Sequence, residues 1–474
     1  MEEQEIERGN TRLAVKVGFW YVLSTFLTKS MALITTPIFS RTMNIEAYGE
    51  FSNFASWRSI MLILIGLELY NTVPRAYYDY RGKFDRYVSS ITIFSGLVTG
   101  ICYIIFLAAK DFFFKIVVMP EELIHILFIS ILFASAKNIF LSRERTLYHY
   151  KSVIAVSFYD GIVPTIVSLI AVLSVSDNLK MSARVYGFYG ASLVSAIICF
   201  IILIWRGHSF NWGSCIYAIN LALPLQINYL TMYLLTNTNI IIAKNLMGSS
   251  ASAVVSISTS VLNIVTILFQ ATNGAITTLL MDKLEQKKYR EARRDSFFYI
   301  AFLAFIALGT ILIAPEIVYI LGDEKYAEAT ILLPALVAAA FIQAVVSVLT
   351  VILMYDKNVV KTAVSTGVVA VLSIIAKVIL LSKSGVICLS YVNLVAAIIL
   401  FVFNYSFVKE AGYRESFNLR GCLLLSGFIL LIMFMSYYLY SYVIVRIILI
   451  GLLLVLFLII AIKNKNKIKK LFRK

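Results

Sequence analysis

An all-α integral membrane protein with 14 transmembrane helices is the fold the sequence predicts, and three features predict it. Only 14% of the 474 residues are charged and 60% are hydrophobic, whereas a soluble domain carries about 25% charged residues. Mean hydropathy is +0.86. Apolar runs long enough to cross a bilayer, about 20 residues each, recur from Leu13 to Ile462 with short charged stretches between them. Fourteen runs in 474 residues allow about 34 residues per run and connection, which leaves roughly a dozen for each connection. That spacing excludes an inserted soluble domain, a nucleotide-binding domain and a large external loop, so the function must be carried out inside the membrane.

Taken in order, the helices are expected at 13–40, 47–73, 88–109, 121–141, 152–175, 185–205, 215–242, 251–280, 296–320, 328–355, 359–382, 385–408, 420–440 and 442–462. The basic stretch Arg75 to Arg86 separates the second from the third, Lys283 to Arg294 separates the eighth from the ninth, and Lys463 opens the tail after the last. Orientation follows from the cations. With the N-terminus in the cytoplasm, 28 of the 42 Lys and Arg fall in cytoplasmic segments and 8 in external loops, a strong positive-inside bias. Both termini are therefore expected in the cytoplasm, and the net charge of +16 reads as a topology device that calls for no nucleic acid. The tail KNKNKIKKLFRK reads as a stop signal for the last helix. The first apolar run is too long for a signal peptide and lacks a small-residue cleavage site, so uncleaved insertion is expected.

Arg41 to Asp79 and Lys244 to Asp282 share one layout at an offset of 203 residues: a turn (RTMNIEAYGEF, KNLMGSSASAV), a long apolar helix and a basic loop. A second correspondence joins two acidic Pro-Glu turns, MPEE at Met119 and APEIVYILGDEKY at Ala314. Two related six-helix halves follow, residues 1–210 and 211–410, with helices 13 and 14 and the basic tail in 411–474. Internal repeats are the usual plan of alternating-access transporters.

The five cysteines are scattered, odd in number and placed in or at the ends of helices, which suits small apolar packing residues. His125, His149 and His208 have no metal-ligand spacing, and neither a Walker loop nor a GxGxxG motif occurs. No catalytic residue, metal site or cofactor is expected.

Eight charges fall within predicted spans: Lys16, Lys29, Arg58, Glu68, Lys137, Asp160, Lys377 and Arg446. A charge facing lipid is costly, so each must face a cavity, pair or snorkel. Lys16 and Lys137 are close enough to Arg12 and Arg143 to snorkel, and Arg446 lies near an external end. Lys29 and Arg58 each lie 17 residues from a cytoplasmic arginine, Arg12 and Arg75, or about 25 Å deep at 1.5 Å per residue. Two cations at matched depth on consecutive helices suit a diphosphate, the arginine as a fork and the lysine as a point charge. Glu68 and Asp160 lie lower. They serve as counter-charges to Lys16 and Lys137 or as proton or sodium sites. Helices 7 and 8 are polar but neutral, and Asn228, Asn237, Asn239, Asn263, Gln270 and Asn273 are candidate sugar contacts or interhelical hydrogen-bond partners.

The stretches PIFSRTMNIEAYGEFSNFASW, GLELYNTVPRAYYD and APEIVYILGDEKYAEATILLPALVAAAFIQAV followed by ILMYDKN resemble the bacterial polysaccharide flippases. These are the O-antigen and capsule repeat-unit translocases of the multidrug, oligosaccharidyl-lipid and polysaccharide exporter superfamily. The resemblance runs over nearly the whole chain. It implies a multi-pass protein of the bacterial cytoplasmic membrane that carries an undecaprenyl-diphosphate-linked oligosaccharide from the inner to the outer leaflet. It further implies coupling to a proton or sodium gradient, no nucleotide hydrolysis, contact with membrane lipids, and a polysaccharide polymerase and chain-length machinery as partners. The chain departs from the family's pattern on helix 7, where Asn237, Thr238 and Asn239 replace an Asp-Arg pair, and at 275–281, which contains no proline.

Two other classes compete. A multidrug or organic-cation exporter of the same superfamily needs carboxylates, and the spans offer two acids against six bases. A membrane-embedded polysaccharide polymerase needs a substantial external loop, and no connection here is long enough.

Overall fold

The computed structural model describes residues 20–21, 31, 34–114, 117–356 and 359–463, and these contain no strand. The helices of seven or more residues are α1 (34–42), α2 (Ile45–Gly66), α3 (Val73–Asp79), α4 (Phe84–Ala108), α5 (Glu122–Thr146), α6 (Tyr150–Leu173), α7 (Lys180–Gly207) and α8 (Trp212–Met247). There follow α9 (Ser249–Glu285), α10 (Tyr289–Leu312), α11 (Ala314–Gly322), α12 (Ala329–Tyr355), α13 (Val359–Ser384), α14 (Ile387–Glu410), α15 (Leu419–Leu439) and α16 (Val443–Lys463). Among the described residues ten helices are long and apolar enough to cross a membrane: α4 to α7, α9, α10 and α12 to α15.

Two compact units divide after Ala253, where the sequence suggests a boundary at 210. The difference has a packing cause, because α8 lies against α2 and α4 and so belongs to the first unit. That unit is built around α7, which packs on α4, α5 and α6. Leu69, Val73, Tyr87, Ile91, Ile139 and Leu203 form part of its core, together with Cys199 and Cys215. In the second unit α12 is central, packed on α10, α14 and α15. Four of the five cysteines are buried and all five are free thiols.

The start of α2 explains the turn RTMNIEAYGEF. Asn44 caps the helix by accepting from the Ala47 amide at 2.7 Å, and Gly49 then lets a neighbouring backbone come close. A Cβ at Gly49 would collide with the Ser249 carbonyl, and Ser252 donates to the Gly49 carbonyl at 3.0 Å. Gly49 and Ser252 are equivalent positions of the 203-residue repeat, so the two turns pack on each other. The copies differ at their other ends. Helix α2 stops at Gly66, and Leu67 and Glu68 follow in the left-handed region (φ 56° and 51°), whereas α9 runs unbroken to Glu285.

The expected second helix, 47–73, is therefore two helices with a break, and Glu68 lies in the break instead of inside a span. The last carbonyls of α2 are open, and in lipid they need donors. Gln226 on α8 supplies donors to two of them, donating to Ile63 at 2.9 Å and Leu64 at 3.1 Å. Beyond the break, α3 is anchored by Val73 and Ala76, both fully buried. Its last residue, Asp79, accepts from the Tyr217 hydroxyl at 2.6 Å and from Arg75 at 2.9 Å. Tyr217 first, and then Arg75, hold the Asp79 carboxyl below its ordinary range. This tie is thus present at neutral pH and is lost as the pH falls through the lowered value.

The expected ninth helix, 296–320, is likewise two. Helix α10 ends at Leu312, and the segment from Ala314, expected as a turn, is helix α11 with Pro315 in its first turn. Pro315 has no N–H, so the Ile311 carbonyl loses its donor. The Tyr440 hydroxyl donates to that carbonyl at 2.9 Å, and Arg446 donates to the next one, Leu312, at 3.0 Å. In α12 the Tyr437 hydroxyl donates to the Ile331 carbonyl at 3.2 Å, one residue past the Thr330 carbonyl that Pro334 leaves without its helical donor.

Tyr440→Phe keeps the ring and removes the donor. It is expected to cost about 1–3 kcal/mol, the price of an unsatisfied buried carbonyl, read as a lower apparent melting temperature of the purified protein in detergent. An unchanged melting temperature would show that another group satisfies Ile311.

Candidate functional site

The polar residues of the first unit lie where α2, α5, α6 and α7 meet. Arg58 projects from the middle of α2, half-buried. Its Nε donates to the Ser130 hydroxyl of α5 at 2.8 Å and its Nη2 to the Ser130 carbonyl at 3.4 Å. The guanidinium lies 4.6 Å from the ring centroid of Tyr189 on α7. A hydroxyl, a carbonyl and a ring orient this cation without neutralising it. Among the described residues no carboxylate forms a salt bridge with Arg58.

Lys137 has a different arrangement. Its ammonium lies 2.6 Å from Asp160 of α6 and donates to the Ser192 hydroxyl at 3.0 Å. Ser195 donates to the other Asp160 oxygen at 2.7 Å. Lys137 thus reaches into the bundle instead of snorkelling outward. Arg446 also turns inward: it is 3% exposed, pairs with Glu316 of α11 at 2.8 Å and bonds the Leu312 carbonyl. Burial here satisfies both the cation and an open carbonyl. Lys377 on α13 is fully buried.

Lys16 and Lys29 lie outside the described residues, so their expected depths meet no structural counterpart. The depth of Arg58 itself changes. Counting 17 residues to Arg75 assumed a continuous helix, but helical rise ends at Gly66, eight residues or about 12 Å away. Glu68, buried at the break, accepts from the Asn71 side chain at 3.3 Å.

The amides divide between the units. Asn237 and Asn239 belong to the first, Asn239 buried with its Oδ1 unpartnered. The Asn228 side chain lies outside the described residues. Asn263, Gln270 and Asn273 belong to the second unit on α9, and with Thr266 they recur every three or four residues, which places them on one helix face. Asn263 and Gln270 are exposed, and the Asn273 Oδ1 is buried without a partner. Among the described residues no group of three or more His, Cys, Asp or Glu could hold a metal.

Arg184 is a functional residue that the sequence does not single out, since it falls in the connection between the expected helices 152–175 and 185–205. It lies on α7, buried, with its guanidinium 4.1 Å from Phe39, 5.0 Å from Tyr48 and 3.7 Å from Phe51. Phe51 in turn stacks on Tyr189, with centroids 6.5 Å apart, so the rings that hold Arg184 continue to the ring beneath Arg58. The signal was present as Tyr48 and Phe51, three residues apart on one helix face.

Similarity to known proteins can now be set beside this geometry. A family model described as polysaccharide biosynthesis protein matches residues 14–280, and the MatE model matches residues 224–379. No curated protein matches the chain in sequence. Among solved structures, the lipid II flippase MurJ in an inward closed conformation is similar with a TM-score of 0.71 at 15% identity, over 94% of this chain and 99% of that one. An inward-facing multidrug resistance MATE family transporter of the MOP superfamily is similar with a TM-score of 0.58 at 13% identity, over 82% of this chain and 95% of the other. At these identities the likeness establishes the fold.

The Lys137–Asp160 pair yields a test. Lys137→Met strands a carboxylate and should cost about 3 kcal/mol, somewhat below the cost in a fully dry site because both side chains keep some exposure. Adding Asp160→Leu should restore most of the loss. Melting of the single and double variants in detergent measures both, and equal melting of the two would mean that the pair is uncoupled.

Proposed function

Because the chain belongs to the polysaccharide biosynthesis protein family and has the fold of MOP-superfamily transporters, we propose that it flips a lipid-linked oligosaccharide. The cargo would be an undecaprenyl-diphosphate-linked repeat unit, carried from the inner to the outer leaflet of the bacterial cytoplasmic membrane by alternating access for surface polysaccharide export. On this reading the chain makes 14 spans with both termini in the cytoplasm, and an ion gradient drives it.

The observation that carries the proposal is the match of the family over residues 14–280. Arg58 supports it chemically. A diphosphate needs a cation that is oriented but not neutralised, and Arg58 is held by neutral groups alone among its described contacts. The polar face of α9 supports it for the sugars, since amides and hydroxyls match the donors and acceptors of a glycan.

A strain lacking the protein should accumulate lipid-linked repeat units inside the cell and lose surface polysaccharide. Arg58→Ala should reproduce that phenotype at normal protein level, and Arg58→Lys should retain part of the polysaccharide, because a point charge replaces the fork. Full polysaccharide in Arg58→Ala would remove this residue from the site. Loss of glycan polymer length without accumulation of repeat units would favour a polymerase instead.

The MatE match over residues 224–379 favours a second reading, a multidrug or organic-cation exporter. Cationic drugs need an available carboxylate, and Asp160 is already engaged by Lys137. A drug-susceptibility panel on the deletion strain separates the two readings: unchanged sensitivity is expected of a flippase.

A further inference from the structure

We propose that the α3–α4 turn and the α7–α8 turn of the first unit form a docking surface for the headgroups of anionic phospholipids in the surrounding bilayer. The α3–α4 turn is firmly seated. Beneath it Val73 and Ala76 are fully buried, and the Thr72 and Tyr87 hydroxyls share a hydrogen bond of 2.6 Å. Above it Arg81, Lys83 and Arg86 are exposed, and among the described residues none of the three forms a salt bridge.

The acids nearby are already engaged. Asp79 accepts from Arg75 and Tyr217, and Asp85 lies 2.6 Å from Arg143. Glu144, 1% exposed, takes Arg143, Arg206 and His149. At the basic α9–α10 turn Lys283 is matched by Glu291 and Arg294 by Asp295, while Lys287, Lys288 and Arg290 form no salt bridge among the described residues, so what sets the α3–α4 turn apart is the aromatic side chains beside its cations. The α3–α4 turn therefore presents three cations whose charge the described protein leaves uncompensated, at the end of a helix apolar enough to span the membrane.

Aromatic side chains stand beside them. One helical turn after Arg86, Ser90 accepts from the Asn211 amide at 2.9 Å and donates to the Ser209 carbonyl at 3.4 Å, which ties the α7–α8 turn to the start of α4. One turn further, Phe94 meets the Trp212 ring edge-on at 5.8 Å. Trp205, Phe210 and Trp212 are 70%, 45% and 57% exposed. Exposed tryptophans at a helix end suit the headgroup level of a bilayer, and cations at the same level attract anionic lipid by about 1 kcal/mol each. The phosphate would meet the cations while the acyl chains lie against the indoles. This inference rests on the membrane fold alone and does not depend on the cargo.

The test uses the full chain with Trp212 as its sole tryptophan (Trp20→Phe, Trp57→Phe, Trp205→Phe), reconstituted in phosphatidylcholine vesicles. Brominated phosphatidylglycerol or brominated phosphatidylcholine is added as the quencher. Phosphatidylglycerol should be preferred at Trp212 by about fivefold, the worth of one engaged cation. Arg81→Gln, Lys83→Gln and Arg86→Gln together should bring the ratio to about one while leaving quenching by brominated phosphatidylcholine unchanged. Should the single-tryptophan chain fold poorly, native mass spectrometry of the otherwise unmodified chain gives the same comparison, with less phosphatidylglycerol retained after the triple substitution. Equal quenching by the two lipids, or a preference that survives the triple substitution, overturns the proposal.

Discussion

In hydrocarbon a backbone carbonyl without a donor has no water to turn to, and it costs several kcal/mol. A helix can therefore break inside a membrane protein only where another helix supplies donors. Both breaks here obey that constraint. Gln226 covers two carbonyls of the last turn of α2, and Tyr440 and Arg446 cover the carbonyls beside Pro315. The C-terminal pair α15 and α16 is thus more than an appendage to the second unit. The tyrosine just past α15 and an arginine of α16 make the α10–α11 break tolerable, and removing them would expose polar backbone as well as apolar surface.

The same accounting sorts the charges. Lys137 and Arg446 each have a carboxylate and a further hydrogen bond, and Arg184 lies among three rings. Such arrangements neutralise or shield a cation and make it part of the scaffold. Arg58 has the orienting contacts without a neutralising one. A side chain in that state is costly unless something anionic visits it, and this is what sets Arg58 apart from its carboxylate-paired neighbours.

How much of this was legible in the sequence depends on what each signal measures. Hydropathy registers length and apolarity, so most helices lie within a few residues of their expected bounds. It does not register backbone sign. Leu67 continues an apolar run and Glu68 is a single charge, yet both adopt positive φ and end α2. That break removed the depth estimate for Arg58, because rise per residue holds only along an unbroken helix. Arg184 escaped for a related reason: a cation at a predicted helix end was counted for topology, while its role is set by Phe39, Tyr48 and Phe51 on other helices. The amides were legible as a class but not as a cluster, since whether Gln226 caps a helix or Gln270 faces outward is decided by packing.

The repeat carries the comparison one step further. Its two copies agree where backbones must approach, at Gly49 and Ser252, and diverge where α2 breaks and α9 continues. The break has a consequence downstream in the chain. It frees α3 to seat Val73 and Ala76 in the core while the following turn turns its cations outward, where among the described residues no acid forms a salt bridge with Arg81, Lys83 or Arg86. The continuous copy brings Lys283 within reach of Glu291 and Asp295 instead. The placement of Arg81, Lys83 and Arg86 is therefore a product of backbone geometry as much as of composition. A left-handed pair of residues, Leu67 and Glu68, sets where α2 ends and so where the turn that carries Arg81, Lys83 and Arg86 emerges.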